Sequence, residues 1–210
     1  MIRNPYKIHY PHDKLWTEEI WKHQHYYQVI SIDPGEKNYA IRIERRYYNT
    51  VETIIFEKID LNSYSEVRIQ GVIVQSTYKI LTEFLNKFSK FYDQCHLVVI
   101  ERQMACNYKA LRIMQHSITY FMTKLYNSPL LPWIIELDPK VKSKVLQMPK
   151  NVNTKTWSVK IAKELLTLRK DYFSLKVLES YKKQDDLCDT VCQTEALFKI
   201  LKLPCLEEKP

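Results

Sequence analysis

Four acidic residues, at three distant places in the chain, have the types and spacing needed for metal chemistry. Asp33 and Glu101 each come directly after a run of apolar residues, while Asp186 and Asp189 lie three positions apart in a helical pattern. Apolar runs that end in an acid are typical of buried strands, and residues three apart share one face of a helix. Carboxylates that converge in space repel one another unless cations lie between them, and such oxygen ligands suit Mg²⁺ or Mn²⁺. The pattern therefore predicts a divalent metal site able to cleave a phosphodiester bond.

The elements around these acids predict how they are positioned. Runs of period two predict strands, and apolar residues that recur every three to four positions predict helices. A helix between the strands of Asp33 and Glu101 makes a crossover that places the two strands parallel and side by side. Both carboxylates then lie at carboxyl ends of strands, where open α/β sheets bind ligands. The predicted strands span residues 26–33, 38–45, 51–59, 96–101 and 131–139, and the predicted helices span residues 65–92, 108–126, 156–169 and 184–198.

This order of elements predicts an α/β domain with a mixed five-stranded sheet flanked by helices. We expect residues 1–25 to form an N-terminal extension, residues 26–202 the nuclease domain, and residues 203–210 a C-terminal tail. The apolar stripe of the helix at residues 108–126 fits either a dimer interface or the domain core.

The chain has only two glycines, Gly35 and Gly71. Gly35 follows Pro34 directly after the first strand, so we expect it to supply a positive φ in a tight turn. Gly71 marks the point where the first long helix would break. Two glycines are too few for the glycine-rich phosphate loops of an actin-like ATP-binding fold, which disfavours that class.

Charge and cysteine content indicate the partner and the compartment. Lysine and arginine number 32 against 24 aspartate and glutamate residues, which gives a net charge of +8 and favours a polyanionic partner. The five cysteines form no C-x-x-C pair, so we expect reduced thiols and no structural zinc. No segment has the pattern of a signal peptide or a membrane span, so we expect an intracellular protein without a membrane partner.

Basic residues lie close in sequence to the acids and are candidates for DNA binding. The lysine-rich segment from Lys140 to Lys155 fits either a solvated loop or a loop that faces phosphates above the acids. The candidate DNA contacts are Lys37, Arg102, Lys140, Lys142 and Lys144.

The chain resembles the RuvC-like Holliday junction resolvases, especially those of poxviruses and related large DNA viruses. The resemblance lies in three segments, Ile30–Asn38, Val98–Gln103 and Lys182–Asp189, and extends over roughly residues 26–200. It implies an RNase H-like (RuvC-type) fold and a homodimer that cleaves four-way DNA junctions by paired symmetric nicks. It also implies Mg²⁺ as cofactor, for which Mn²⁺ can substitute, and a viral protein of this type would act in the host cytoplasm.

Carried over by position, the resemblance implies a role for each acid. Asp33 would bridge both metal ions, and Glu101, Asp186 and Asp189 would be the other ligands. The family also uses a lysine near the scissile phosphate, upstream of the last pair of acids. Lys155 is the best match in this chain, and the alternative is Lys160.

Other functions remain open at this point. Another RNase H-like metal nuclease, such as an RNase H or a general DNA endonuclease, would have the same acids. A catalytically inactive DNA-binding module would use the acids only as helix caps.

Overall fold

A mixed six-stranded sheet lies at the centre of the computed structural model, which describes residues 4–11, 25–48, 50–62, 67–69, 72–74 and 77–203. The strand order is β1-β8-β7-β2-β3-β4, and β5 and β6 form a separate hairpin. The strands are β1 (Tyr6–His9), β2 (Tyr27–Pro34), β3 (Tyr39–Arg46), β4 (Val51–Ile59), β5 (Val67–Ile69), β6 (Val72–Val74), β7 (Leu97–Glu101) and β8 (Trp133–Leu137). The helices are α1 (Thr77–Asn86), α2 (Tyr108–Lys124), α3 (Lys140–Val145), α4 (Thr154–Leu168), α5 (Tyr172–Glu179) and α6 (Asp185–Leu201), with a 3₁₀ helix at Ser89–Gln94. This architecture confirms the predicted α/β class, although the main sheet has six strands where five were expected and the β5-β6 hairpin adds two more.

Three neighbouring strands, β2, β7 and β8, run parallel to one another, and β3 pairs with β2 in the antiparallel direction. Their apolar residues are buried on both faces, because helices cover both sides of the sheet. Even-numbered residues such as Ile30 and Ile32 pack in the core cluster with α1 and α2. Val29 lies on the opposite face with the last turns of α6. Since side chains alternate along a strand, Asp33 belongs to the face that α6 covers.

The sixth strand comes from the segment predicted to be an extension. Strand β1 pairs antiparallel with β8 at the edge of the sheet, with Tyr6 opposite Leu137 and His9 opposite Ile134. His9 Nε2 also lies 2.6 Å from Glu136 Oε1, so a polar contact reinforces the backbone pairing. Residues 1–3 and 12–24 of the predicted extension and residues 204–210 of the predicted tail lie outside the described residues.

The predicted helix over residues 65–92 is wrong in its first part. Residues Val67–Ile69 and Val72–Val74 form a two-stranded hairpin, and the helix begins only at Thr77. The physical reason is that Val and Ile are β-branched and favour strands, and a short apolar run does not distinguish the two periods. Gly71, where the helix was expected to break, lies outside the described residues.

Gly35 is required for space and not for a positive φ. A Cβ atom at this position would lie 2.9 Å from the carbonyl oxygen of Asn38, closer than side chains tolerate. The backbone N–H of Gly35 donates to the carbonyl of Asp33 at 3.0 Å, which tightens the turn directly after this acid. The turn therefore holds the end of β2 in place.

The apolar stripe of α2 belongs to the core. Met114, Ile118 and Phe121 are buried against the sheet, which answers the question that its sequence left open. Within the described part of the chain, no helix is both long and apolar enough to cross a membrane. Four of the cysteines are free thiols in this structure, and Cys205 lies outside the described residues.

Candidate active site

Asp33 and Glu101 lie side by side at the carboxyl ends of two central strands of the sheet. Strands β2 and β7 are parallel and in register, with Ile32 opposite Ile100, so the next residue on each strand is an acid. Both side chains belong to the face covered by α6. The sequence-based expectation of two adjacent strand-end carboxylates therefore agrees with the geometry.

Helix α6 brings the other two acids to the same carboxyl ends of β2 and β7. It begins at Asp185, and its next three turns pack on β2 and β3 through buried residues that include Leu187 and Val191. Asp186 and Asp189 have side chains that are only 15% and 20% exposed, so they face the sheet edge and not open solvent. Both contribute to the electrostatic environment of Asp33, which places all four predicted ligands around one region.

Lys142 is the cation in this cluster. Its Nζ lies 2.5 Å from Glu101 Oε2 and 2.7 Å from Asp189 Oδ2. The lysine comes from helix α3, which follows β8 directly, and its side chain is 5% exposed. Its ammonium group is thus buried between two carboxylates and is not part of an exposed basic surface, and the contact of Lys142 with DNA stays a prediction.

The electrostatics of the cluster show strong mutual influence. Burial raises the pKa of Asp33 well above its usual range, and the nearby charges of Glu101 and Asp189 raise it further. Burial also raises the pKa of Glu101, and the opposing effect of Lys142 is smaller, so this pKa is raised overall. Burial lowers the pKa of Lys142, but Glu101 and Asp189 outweigh this effect, so its pKa is raised overall. The acids thus lie close enough to hinder one another's ionisation, and a cation among them relieves the repulsion.

Lys155, the predicted catalytic lysine, has a different partner. Its Nζ lies 3.3 Å from Asp185 Oδ2, while the side chain itself is 74% exposed. The alternative, Lys160, lies 3.8 Å from Glu164 on the surface of α4. The lysine that contacts predicted metal ligands at the centre of the cluster is Lys142.

Asp186 is paired with a second lysine. Lys183 Nζ lies 2.7 Å from Asp186 Oδ2 and 3.6 Å from Asp185 Oδ1. Lys183 is half-exposed, so solvent weakens this pair.

The donor set fits a hard divalent cation. Asp189 Oδ1 is buried and accepts no hydrogen bond, which leaves a free acceptor beside Glu101 and Asp33. Carboxylate oxygens are the donors that Mg²⁺ and Mn²⁺ prefer. Among the described residues, no three His, Cys, Asp or Glu side chains stand in a ready-made ligand arrangement. Two of the acids, Glu101 and Asp189, contact the ammonium group of Lys142.

The other predicted DNA contacts differ in exposure. Lys37, Lys140 and Lys144 are exposed, as a phosphate-binding role requires. Arg102 is half-buried and lies 3.6 Å from Glu136 Oε2 and 4.0 Å from Asp138 Oδ2, so its charge is largely directed toward these acids.

Sequence reasoning missed the residues that hold α6 on the sheet. Ser31 Oγ donates to the carbonyl of Thr190 at 2.8 Å, and the Gln193 amide donates to the carbonyl of Ile32 at 3.0 Å. The local signal in the sequence is Ser31 itself, which interrupts an apolar strand. A buried polar side chain needs a hydrogen-bond partner, but the sequence does not show which residue provides it.

Comparisons with known proteins agree with this fold. No family model matches the chain. The chain is 32% identical to the uncharacterized protein 170L of Invertebrate iridescent virus 6, with 80% of this chain and 87% of that protein covered. The fowlpox virus resolvase, solved with its substrate Holliday junction DNA, is similar in structure with a TM-score of 0.54 and 20% identity, over 83% of this chain and 98% of that chain. RuvC of Thermus thermophilus has a TM-score of 0.51 and 10% identity, over 84% of this chain and 97% of that chain. The chain therefore belongs to the same viral protein family as 170L, and it has the RNase H-like fold of the RuvC-type resolvases that its three motifs indicated.

Proposed function

We propose that the protein is a structure-selective endodeoxyribonuclease that resolves four-way (Holliday) DNA junctions by paired symmetric nicks. The observation that carries this proposal is the convergence of Asp33, Glu101 and Asp189 around Lys142, at the carboxyl edge of the sheet. Junction specificity is supported by the likeness to the fowlpox virus resolvase, whose solved complex contains Holliday junction DNA.

In this proposal Asp33, Glu101, Asp186 and Asp189 hold divalent cations, Mg²⁺ or Mn²⁺. Such ions activate water for attack on a phosphodiester and stabilise the leaving oxygen. The protein's own contribution is to fix four carboxylates in a largely buried site, where rigid neighbours keep them aligned. Lys142 orients Glu101 and Asp189 through direct contacts and supplies positive charge beside the bound phosphate.

The protein would act as a homodimer, because symmetric nicking requires two sites related by a two-fold axis. The net positive charge of the chain would attract the junction DNA. Its phosphates would contact the exposed lysines Lys37, Lys140 and Lys144. The relative is a viral protein, which supports a place of action inside an infected host cell, and action in its cytoplasm is part of the proposal.

The experiment compares a synthetic four-way junction, a matched duplex and an RNA–DNA hybrid, each with Mg²⁺ and with EDTA. Paired nicks on the junction alone, present with Mg²⁺ and absent with EDTA, are the expected result. Cleavage of the hybrid would replace the proposal with an RNase H, and cleavage of the duplex at equal rate would replace it with a general endonuclease.

The control variant is Asp186→Asn, which keeps the size of the side chain and removes its charge. We expect it to abolish cleavage while junction binding persists. If the wild-type protein binds junctions without cleaving them under any metal condition, the protein is a DNA-binding module and the proposal fails.

A further inference from the structure

A basic groove of about 500 Å³ opens on the surface next to Asp186. One wall is the first turn of α4, with Lys155 and Thr156, and the other is the turn that leads into α6, with Lys182 and Lys183. The location of this groove, directly beside the acid cluster, makes it relevant to substrate binding.

The groove has a positive balance of charge. Lys155, Lys182 and Lys183 line it, and the acid among its lining residues is Asp185. The N-terminus of α4 adds to this potential, because the first turn of this helix contains no acidic residue. A helix N-terminus carries roughly half a positive charge, so an anion is favoured at this wall.

Hydrogen bonds connect the groove to Asp186, one of the proposed metal ligands. Lys183 Nζ donates to both oxygens of Asp186, at 2.8 and 2.7 Å. Lys155 approaches Asp185, the residue directly before Asp186. A DNA strand with one phosphate at the acid cluster would place its neighbouring phosphates close to this groove. The positive charge of the lysines favours a path of the strand through the groove.

The chemistry of the walls indicates which part of DNA would bind. Lysine ammonium groups are flexible point charges that suit phosphate oxygens. The side chains that line the groove in the described part of the chain include no aromatic ring, so base stacking is not what it offers. The groove is thus suited to the sugar–phosphate backbone and not to the bases.

We propose that this groove binds the backbone of the cleaved strand immediately beside the scissile phosphate, with Lys155, Lys182 and Lys183 in contact with phosphates. This inference rests on the proposed function, since it assumes that DNA is the substrate. It gives Lys155 a binding role in place of the catalytic role that its sequence position suggested.

The test measures how junction binding depends on salt, in EDTA, for Lys155→Gln, Lys182→Gln, Lys183→Gln and the triple variant. Log K falls as log salt rises, and each lost phosphate contact makes this negative slope shallower by about 0.9. The slope of the triple variant should therefore be shallower than that of the wild type by close to 3. The matched control is Lys79→Gln on α1, whose side chain is 76% exposed against 74% for Lys155 and which also has one acidic partner. The control should keep the wild-type slope, and a wild-type slope in the triple variant would overturn the inference.

A second measurement separates binding from catalysis. Single-turnover cleavage at saturating protein should fall by well under ~10²-fold in Lys155→Gln and Lys182→Gln, because the excess of protein compensates for weaker binding. Lys183→Gln is left out of this measurement, since it also removes a partner of Asp186. A loss of ~10²-fold or more at saturation in either variant would assign these lysines to the chemical step instead and overturn the binding role. Failure of the wild-type protein to bind junctions would contradict the proposed function, whereas wild-type binding with unchanged slopes in the variants contradicts only the groove.

Discussion

The side-chain amide nitrogen of Gln193 lies 2.6 Å from Ser31 Oγ, and this contact joins helix α6 to strand β2. Ser31 comes two residues before Asp33, and Gln193 comes one helical turn after Asp189. Both partners are fully buried, at 0% and 1% exposure, so the bond is not exchanged with solvent. The separation of the two acids is therefore set by a polar contact inside the core and not only by apolar packing.

Replacing Gln193 with methionine tests this relationship. Gln193→Met keeps the length of the side chain and removes its hydrogen bonds to β2, so Asp189 should lose its fixed distance from Asp33. We expect Mn²⁺ binding to weaken, but by less than the roughly 10- to 100-fold that the loss of a direct outer contact of metal ligands costs, because Gln193 contacts Ser31 and Ile32. Isothermal titration of the DNA-free protein measures this, with Gln115→Met on the exposed face of α2 as control. Equal Mn²⁺ affinity in Gln193→Met and the wild type would contradict the role.

Lys142 should be essential for cleavage. Lys142→Met removes the ammonium group that contacts Glu101 and Asp189 but keeps an apolar chain of similar length. We expect the single-turnover rate on a four-way junction to fall by ~10²-fold or more, since a positioned charge is lost from a largely buried site. Lys150→Met, at an exposed position in the same region, should stay near the wild-type rate. A Lys142→Met variant with full activity would remove this lysine from the site.

We expect the titration of His96 to make the free energy of unfolding depend on pH. Burial lowers its pKa from the usual 6.5 to about 4, and its Nδ1 accepts a hydrogen bond from the backbone N–H of Gln28 at 3.0 Å. Because the folded pKa is below the unfolded one, the unfolded chain binds the proton first as the pH falls. The contribution to stability is therefore complete above pH 6.5 and is lost as the pH falls through 4, by about 3 kcal/mol at most.

His96→Asn keeps an acceptor in this position and removes the titration. Urea unfolding of both proteins at several values between pH 7 and pH 4 gives the difference in free energy at each pH. We expect this difference to shrink steadily toward acid, because only the wild type loses the His96 contribution. Parallel curves for the two proteins would show that His96 does not titrate in this way.

A buried ionic network should make Glu195 critical for stability. Glu195 Oε2 lies 2.9 Å from Arg46 Nη1 and also contacts Arg169, and all three side chains are at most 4% exposed. Glu195→Gln leaves two buried guanidinium groups without their shared counter-charge, which should cost about 3–5 kcal/mol in the free energy of unfolding. Glu83→Gln breaks an exposed pair with Lys79 and should cost under about 1 kcal/mol. Urea unfolding compares the two, and similar costs would contradict the special status of the network.

Local sequence signals are enough to predict the strands that end in Asp33 and Glu101. Each acid follows an apolar run long enough to fix one strand, and the intervening helix fixes the parallel direction by the handedness of crossovers. The edge strand β1 was not predictable in this way, because its pairing with β8 joins residues more than 120 positions apart. The hairpin of β5 and β6 was mistaken for helix because its strands are too short for their period to be read.

The sequence by itself determined which four acids belong together, because their strand-end and helix positions are properties of short segments. Only the tertiary structure decided which lysine lies among them. Lys142 and Lys155 stand in the same lysine-rich segment and look equivalent in the sequence. The packing of α3 against α6 buries Lys142 between Glu101 and Asp189, while Lys155 stays at the exposed start of α4. A buried ammonium group is stable only beside carboxylates, and which side chains provide them depends on contacts between distant parts of the chain.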